Sequence, residues 1–548
     1  MKKQILLCAV LLVALIVGGF GLWQARRFFP YPPAFARLGI ENWQVWEFHD
    51  YFGLDPSEIS VIIGDRRLRD LEIPPVMESG EVRLHYTFIR EHIDPFIFWD
   101  AGAQALFFST DTEVIRLPDR TVSISSVQDM YPDFMVEHRS EFNTVIISET
   151  EVIPGHTATM RITETIRDTN VRYRPDRTAF ITRRAPRGTE LTIFGITGDF
   201  VRVRTPEGLL GYVPAADLEQ SRPWTKALAP CASSETTPLP NINLTWDLIT
   251  APVGNTTAMN NPLPEGLTVI SPTWFNFDPY APDGRLISFA SREYVDWAHS
   301  HGVKVWAKAF DTNHDISAAI LTNYRARERV IEQLVSFVRD YNLDGININF
   351  EHVRAAAGRY YVQFLRELAP EMRRLDATLS VATFVPAPWF RQYHHDLVGK
   401  TVDFVAIMTY DEHYSGSPEP GPVASLPFVE RFMREAAELI PPEKLLMGLP
   451  LYNRIWRVIP DEGHTISNTG MAFPWSLEWD SIIWDPIIGS YYATLDGEYA
   501  TYRLWIECER SIGEKMRIFE EMGLAGVASW RRGLESPGVW EEIRRAIS

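Results

Sequence analysis

The sequence predicts an α/β protein whose C-terminal part is a (β/α)8 barrel, preceded by a small all-β domain and a small α+β module. Three observations support this fold class. The chain has 548 residues, too many for one ordinary core, so two to four domains are expected. From about residue 241, short apolar strands alternate with helical patterns, as in a parallel sheet with crossover helices. Eight such strands over roughly 300 residues fit a closed barrel.

The first 27 residues predict a targeting segment. Two lysines precede an apolar run from Ile5 to Trp23, and two arginines follow it. About twenty residues at ~1.5 Å rise match a ~30 Å hydrocarbon core. A cleavable signal usually has a shorter apolar core and a small-residue cleavage site. We therefore expect an uncleaved membrane anchor, with a cleaved signal as the alternative. In both cases the main body is exported to the cell surface or the cell wall.

Composition limits the possible partners. The formal net charge of −18 argues against a nucleic-acid partner, because binding to phosphates needs patches of Lys and Arg. Outside the N-terminal run the cysteines are Cys231 and Cys508, which either pair in an oxidising compartment or remain free thiols. No CxxC pattern or His/Cys cluster indicates a metal site, and no cofactor is expected.

Residues 28–157 predict a small α+β module. Short apolar runs at 73–76, 82–84, 96–100 and 105–108 surround a helix-like segment. The arrangement resembles the repeat in the N-terminal domain of copper amine oxidases and in many exported bacterial proteins. It carries no chemistry that we can identify.

Residues 160–222 predict a small all-β domain. Alternating apolar residues at 187–194 and 200–213 indicate half-buried strands. Pro206-Glu207-Gly208 predicts a hairpin turn, since Pro presets φ and Gly supplies a positive φ. The order resembles a bacterial SH3-like domain of the kind attached to cell-wall enzymes. That resemblance implies either wall-peptide binding or a spacer role.

A linker rich in Pro, Ser and Thr is predicted at 223–240, and the barrel is predicted at 241–548. Two of its helices are predicted at 326–339 and 360–374 from their apolar faces. The expected barrel strands are 243–248, 269–277, 303–310, 345–350, 380–386, 404–410, 445–451 and 526–530.

The fourth barrel strand carries the most informative sequence, Asp344-Gly-Ile-Asn-Ile-Asn-Phe-Glu351. Side chains alternate along a strand, so Asn347, Asn349 and Glu351 share the barrel interior, while Asp344 has the other parity. Chemistry in this fold lies at the C-terminal ends of the strands, which places Glu351, Tyr410, Asp411 and Trp530 at one mouth.

These residues resemble the catalytic signature of glycoside hydrolase family 18, whose TIM barrel carries Asp-Gly-x-Asp-x-Asp-x-Glu on strand four. The other matching segments are Met408-Thr-Tyr-Asp411, Gly448-Leu-Pro-Leu-Tyr452 and Ser529-Trp-Arg531. The chain is most similar to the exported branch associated with spores and cell walls. In that branch Asn at position 347 is ordinary, so Asn349 is the departure.

The resemblance implies hydrolysis assisted by the substrate's own 2-acetamido group. Glu351 would protonate the glycosidic oxygen, and Tyr410 would hold the acetamido carbonyl. Asn349 can orient the acetamido N–H through its carbonyl oxygen, but it lacks the charge that would stabilise the oxazolinium. Asn349→Asp is therefore expected to raise the rate.

The remaining site residues are expected to bind substrate. Trp530 would form the floor under the sugar, and Asp411 would bind a hydroxyl or tune the acid. Met408, Asn347 and Asp344 complete the predicted substrate-binding set, although Met408 also suits wall packing and the parity of Asp344 suits a backbone contact.

Two functions follow from these residues. The first is a glycosidase acting on β-1,4-linked N-acetylglucosamine in peptidoglycan or a chitin-like glycan. The alternative is a non-hydrolytic, lectin-like barrel of the cell wall, which Asn349 favours and the retained Glu351 opposes.

Overall fold

The structure, a computed structural model, describes residues 57–68, 70–110, 112–149, 158–179, 181–226, 242–311, 313–459, 463–471 and 478–547. The chain divides into two compact units. The first takes in Met1–Pro95 and Asp119–Glu235, and the second takes in Phe96–Pro118 and Thr236–Ser548.

The first region, up to residue 149, consists of short strands and two helices. Its strands are β1 (Ser60–Ile63), β2 (Arg66–Leu68), β3 (Val76–Glu78), β4 (Glu81–His85), β5 (Phe98–Asp100), β6 (Ala105–Ser109), β7 (Val114–Leu117), β8 (Thr121–Ser123), β9 (Phe134–Arg139) and β10 (Thr144–Glu149). Its helices are α1 (Tyr86–His92) and α2 (Ile124–Met130). Three small sheets result, with strand orders β2-β1-β10-β9, β3-β4-β8 and β5-β6-β7.

The second region is a seven-stranded antiparallel sheet of order β13-β12-β16-β15-β14-β11-β17. Its strands are β11 (Ala158–Glu164), β12 (Thr169–Arg172), β13 (Ile181–Ala185), β14 (Glu190–Thr197), β15 (Phe200–Arg204), β16 (Leu210–Pro214) and β17 (Arg222–Lys226). The predicted turn joins β15 to β16, with Gly208 at φ +99°. The predicted linker starts too early, because residues 223–226 lie in β17 and pair with β11.

Eight parallel strands close the barrel in the second unit, in the order β19-β18-β32-β26-β25-β24-β23-β22, with β19 pairing to β22. The strands are β18 (Ile242–Asp247), β19 (Val269–Pro272), β22 (Lys304–Phe310), β23 (Gly345–Asn349), β24 (Thr378–Thr383), β25 (Phe404–Ile407), β26 (Leu445–Pro450) and β32 (Gly526–Trp530). Each of them falls on a predicted strand, so the predicted fold class is confirmed.

Helices cover the outside of the barrel. They are α3 (Val253–Met259), α4 (Arg292–Ser300), α5 (His314–Thr322), α6 (Tyr324–Tyr341), α7 (Gly358–Arg374), α8 (His395–Thr401), α9 (Leu426–Ala437), α10 (Glu509–Met522) and α11 (Val539–Ile547). Helix α6 shows why they form where they do. Asn323 caps its first turn, and Asn342 ends it in the left-handed conformation.

Alternation along β23 decides which side chains reach the site. Ile346 and Ile348 face outward and pack against the helices. Asn347 and Asn349 face the interior, as the sequence predicts. At Gly345 a Cβ atom would come within 2.5 Å of the Thr378 carbonyl oxygen, so only glycine fits there.

The β5–β7 hairpin belongs with the barrel, which differs from the single α+β module predicted for residues 28–157. Asp100 on β5 lies 2.7 Å from the Arg327 guanidinium on α6, and Glu367 on α7 lies 3.2 Å from the same nitrogen. These three side chains are buried, and Phe98 packs edge-on against Tyr360. The hairpin therefore completes the packing of two barrel helices.

A five-stranded antiparallel sheet lies between β26 and β32 in the chain, and the sequence did not predict it. Its order is β28-β27-β31-β30-β29. The strands are β27 (Asn453–Ile459), β28 (Gly463–Met471), β29 (Ser481–Asp485), β30 (Ser490–Asp496) and β31 (Thr501–Ile506). Short strands β20 (Phe275–Phe277) and β21 (Leu286–Ser288) extend the barrel sheet at one edge.

Two predictions fall outside the described residues. The segment 1–27 expected to anchor the protein is one of them. Within the part of the chain that the structure describes, no helix is both long enough and apolar enough to cross a membrane. Cys231 is the other, for which the sequence left open a disulfide with Cys508 or a free thiol. Cys508 is a buried free thiol, and burial raises its pKa.

Candidate active site

A cavity of about 500 Å³ opens at the C-terminal ends of the barrel strands. It is lined by Glu351, Asn349, Met408, Tyr410, Asp411 and Trp530, all of which the sequence predicted for the site. These six predicted residues therefore lie around one cavity at the predicted end of the barrel. Aromatic side chains supply much of the remaining wall, namely Trp246, Phe384, Trp389, Phe390, Tyr414 and Phe428.

Glu351 lies two residues after the end of β23, and it is exposed at the cavity mouth. Its backbone N–H donates to Asp311 Oδ1 over 2.8 Å, and the N–H of His352 donates to Asp311 Oδ2 over 2.8 Å. Asp311 is buried and also accepts a hydrogen bond from Ser317. This carboxylate therefore fixes the backbone that presents Glu351. The sequence did not single out Asp311, although it directly follows the third barrel strand.

The orientation of the Asn349 amide follows from its surroundings. The side chain is 2 % exposed, and its Nδ2 donates to the Ala382 carbonyl oxygen over 3.1 Å. A backbone carbonyl can only accept, so the amide nitrogen must face it. Met408 Sδ lies 3.8 Å from the same nitrogen. The Asn349 carbonyl oxygen is thus left for the cavity.

Asn347 lies one layer deeper and does not line the cavity. Its Oδ1 accepts from Trp246 Nε1 over 3.1 Å, and its Nδ2 donates to Ser380 Oγ over 3.0 Å. Its place is therefore beneath the cavity wall, where it holds Trp246. Asn347 is not among the residues that line the cavity, so the structure does not support its predicted contact with substrate.

Asp344 is also a correction to the predicted substrate-binding set. It precedes β23, at the opposite end of the strand from Glu351. Its carboxylate accepts from the backbone N–H of Val305 over 2.8 Å and lies 2.7 Å from His299 Nε2. Asp344 therefore joins two neighbouring strands, as its parity along the strand suggested, and does not reach the cavity.

Tyr410 and Asp411 extend just beyond β25. Burial raises the pKa of Tyr410 well above its usual value, and the Glu351 and Asp411 carboxylates add to this rise. The phenol is therefore protonated at neutral pH and can donate a hydrogen bond. Asp411 sits at φ +58° and accepts from the Tyr452 hydroxyl and, over 2.7 Å, from Arg454 Nη2. Its carboxylate is thus paired within the protein.

Trp530 ends β32 and forms one side of the cavity. Its ring lies 5.8 Å from that of Trp246, at a tilt of 54°. Its carbonyl oxygen accepts from the N–H of Leu451 over 2.8 Å, which ties it to the end of β26. Two indole rings therefore meet at the cavity floor, where the C–H face of a sugar ring can stack.

Lys308 is a charged cavity residue that sequence reasoning missed. It points inward from β22, is 7 % exposed, and places its Nζ 4.6 Å from the centre of the Trp530 ring. One signal in the sequence could have revealed it. Lys308 is the single charged residue in the interior of an otherwise apolar strand, Val305-Trp-Ala-Lys-Ala-Phe310.

With this geometry established, the comparisons with known proteins identify the domains. Residues 280–535 match the family model of glycosyl hydrolases family 18, and residues 167–219 match the bacterial SH3 domain. The barrel region of the chain thus matches glycosyl hydrolases family 18, and a match to the bacterial SH3 domain precedes it. The match to the amine oxidase repeat stays a prediction.

The relatives are similar in the barrel. A candidate sporulation-specific glycosylase of Bacillus subtilis, YdhD, is 29 % identical over 41 % of this chain and 56 % of its own length. The cortical fragment-lytic enzyme of the same organism is 27 % identical over 41 % of this chain and 55 % of its own length. The chain thus spans about half the length of these two relatives.

One solved structure supports the fold. The C-terminal domain of a candidate chitinase from Desulfitobacterium hafniense superposes with a TM-score of 0.51 at 20 % identity, over 57 % of this chain and all of that domain. At this identity the likeness concerns the fold alone.

Proposed function

We propose that the barrel is a glycosidase that cleaves β-1,4 bonds at N-acetylglucosamine in peptidoglycan or a chitin-like glycan. The observation that carries the proposal is the arrangement of Glu351, Asn349 and Tyr410 around one cavity that has Trp530 at its floor. The match of residues 280–535 to the family 18 model and the similarity to a protein named as a cortical fragment-lytic enzyme support it.

The first step breaks the glycosidic bond. Glu351 donates its proton to the leaving oxygen, while the substrate's acetamido carbonyl oxygen forms a bond to the anomeric carbon. Tyr410 donates a hydrogen bond to that carbonyl group and holds it in position. Because Tyr410 stays protonated, this contact persists across the neutral pH range. The product is an oxazolinium ion, with the departed sugar released as an alcohol.

Asn349 positions the acetamido nitrogen. Its amide nitrogen is committed to the Ala382 carbonyl, so its carbonyl oxygen accepts the acetamido N–H. This contact needs no charge. In the second step the Glu351 carboxylate removes a proton from water, the water oxygen bonds to the anomeric carbon, and the oxazolinium ring opens. The configuration of the substrate is retained, and Glu351 returns to its protonated form.

The experiment compares the full chain with its Glu351→Gln variant on purified peptidoglycan and on chitin oligosaccharides. General acid catalysis contributes about 10²–10⁴-fold, so release of reducing ends falls by at least about 100-fold in Glu351→Gln. Glu430→Gln, on the exposed face of α9, is the matched control and keeps the wild-type rate. Equal release by wild type and Glu351→Gln, with both still binding oligosaccharide, establishes the lectin-like alternative.

Attachment to the membrane through residues 1–27 and placement outside the cytoplasm complete the proposal. They rest on the sequence pattern of the N-terminal segment. The proposal that the SH3 domain binds wall peptide rests on its match to the bacterial SH3 domain. A fusion of residues 1–56 to a periplasmic reporter, fractionated between membrane and medium, tests the attachment. Recovery of the reporter in the medium contradicts it.

A further inference from the structure

Lys308 is a buried ammonium group in the wall of the active-site cavity. It lies over the ring of Trp530 at 4.6 Å and near the ring of Phe310 at 5.6 Å. Among the described residues, no acceptor forms a hydrogen bond or an ion pair with its Nζ. Three N–H donors therefore remain for whatever occupies the cavity.

Burial of this charge is unfavourable to the fold. Desolvation lowers the pKa of Lys308 to about 8, and the Glu351 and Asp311 carboxylates only partly offset the effect. Its strand neighbours Trp306, Ala307 and Ala309 are apolar and buried. An apolar side chain of the same length would fit this position without the desolvation cost. A costly charge that makes no hydrogen bond or ion pair among the described residues indicates a role in binding.

We propose that Lys308 binds a carboxylate carried by a sugar in this cavity, and that the cleft is therefore selective for an acidic N-acetylated glycan. This inference rests on the proposed function, because it assumes that the cavity receives N-acetylhexosamine units. A carboxylate fits better than a phosphate, since Glu351, Asp411 and Glu412 line the same cavity and would repel a dianion more strongly.

Peptidoglycan and chitin, the two substrates that the sequence left open, differ in charge. Peptidoglycan alternates N-acetylglucosamine with N-acetylmuramic acid, whose lactyl ether ends in a carboxylate when no peptide is attached. Chitin is neutral throughout. A cation in the cavity wall therefore favours peptidoglycan strands from which the peptides have been removed.

The experiment measures binding without turnover, by calorimetry at pH 6 on the full chain with Glu351→Gln. The probes are chitotetraose, an N-acetylglucosamine–N-acetylmuramic acid tetrasaccharide, and the methyl ester of that tetrasaccharide. One charge-assisted contact predicts that the free acid binds about tenfold more tightly than its ester. Adding Lys308→Met removes this preference. Adding Lys304→Met, which removes an exposed lysine at the start of the same strand, keeps it.

Equal binding of acid and ester, or a preference that survives Lys308→Met, overturns the inference. Unfolding does not explain a loss, since Lys308→Met removes a buried charge and is expected to raise the melting temperature. Failure of the proposed function gives a different pattern. If wild type releases no reducing ends yet the acid preference depends on Lys308, hydrolysis is refuted and the binding site stands. If wild type cleaves chitin and peptidoglycan strands but the acid and its ester bind equally, hydrolysis stands and the role of Lys308 is refuted.

Discussion

Replacing Asn349 with aspartate tests whether the site is built around an amide. The Asn349 Nδ2 donates to the Ala382 carbonyl oxygen over 3.1 Å in a buried position. A carboxylate there loses a hydrogen bond worth about 1 kcal/mol and leaves two acceptors facing each other, at a further cost of roughly 1–3 kcal/mol. We expect Asn349→Asp to lower the free energy of unfolding by about 2–4 kcal/mol at pH 7.

Asn347→Asp is the matched control on the same strand. Its two partners are the Trp246 N–H, which donates, and the Ser380 hydroxyl, which can rotate to donate. A carboxylate at position 347 therefore keeps both contacts. We expect Asn347→Asp to cost at least about 1 kcal/mol less than Asn349→Asp, since it leaves no acceptor opposed to another.

The assay is urea unfolding of the full chain, followed by tryptophan fluorescence at pH 7 and at pH 4. In Asn349→Asp, the protonated form of the introduced carboxyl group can donate its O–H to Ala382, so burial and this bond raise the pKa of that carboxyl group in the folded state. The loss of stability is then complete above the folded-state pKa and shrinks as the pH falls toward 4. Equal stability of the two aspartate variants, or a loss that does not depend on pH, refutes the reasoning.

The same geometry reverses an expectation drawn from the sequence. The sequence predicts a faster enzyme from Asn349→Asp, because a negative charge would stabilise the oxazolinium. In the structure, a carboxylate at this position faces the Ala382 carbonyl oxygen and cannot keep the orientation that the hydrogen bond gives the Asn349 amide. We therefore expect the variant to be slower than wild type in the reducing-end assay.

Two further predictions concern buried charges in the barrel unit. Lys308→Met should raise the free energy of unfolding by about 3 kcal/mol at pH 7, from the fall in the lysine pKa from 10.5 to about 8. Because the folded-state pKa is the lower one, wild-type stability rises between pH 8 and 10.5, and urea titrations should show the variant's advantage vanish there. Arg327→Met leaves Asp100 and Glu367 buried together and should cost about 3 kcal/mol or more, whereas exposed Arg325→Met should cost under about 0.5 kcal/mol in the same assay.

The barrel was predictable because its strands are short apolar runs at regular spacing. Residues 526–530 were predicted as a strand and form β32 with those bounds. The β27–β31 sheet was not predicted, since its strands are amphipathic and interrupt the repeat between the last two barrel strands. Attachment of residues 96–118 to the barrel depends on Arg327, a long-range partner that local patterns cannot reveal.

The candidate site was predictable where a residue lies at, or a few positions after, the C-terminal end of a strand. Glu351, Tyr410 and Trp530 all reach one cavity because parallel strands end at one mouth. Asn347 and Asp344 were misplaced because alternation along a strand predicts which side of the sheet a side chain faces. It does not predict how far below the cavity that side chain lies. Asn347 lies one layer below the cavity and Asp344 at the far end of the strand. Lys308 was missed because a charge inside an apolar strand gives no indication of its partner.

The most direct test of the central claim follows the anomeric form of the first product by proton NMR, with chitin oligosaccharides as substrate. Participation of the acetamido group and protonation by Glu351 predict that wild type releases the β-anomer first. They also predict that Glu351→Gln releases no product above background. Release of the α-anomer first, or equal release by the two proteins, would contradict the account.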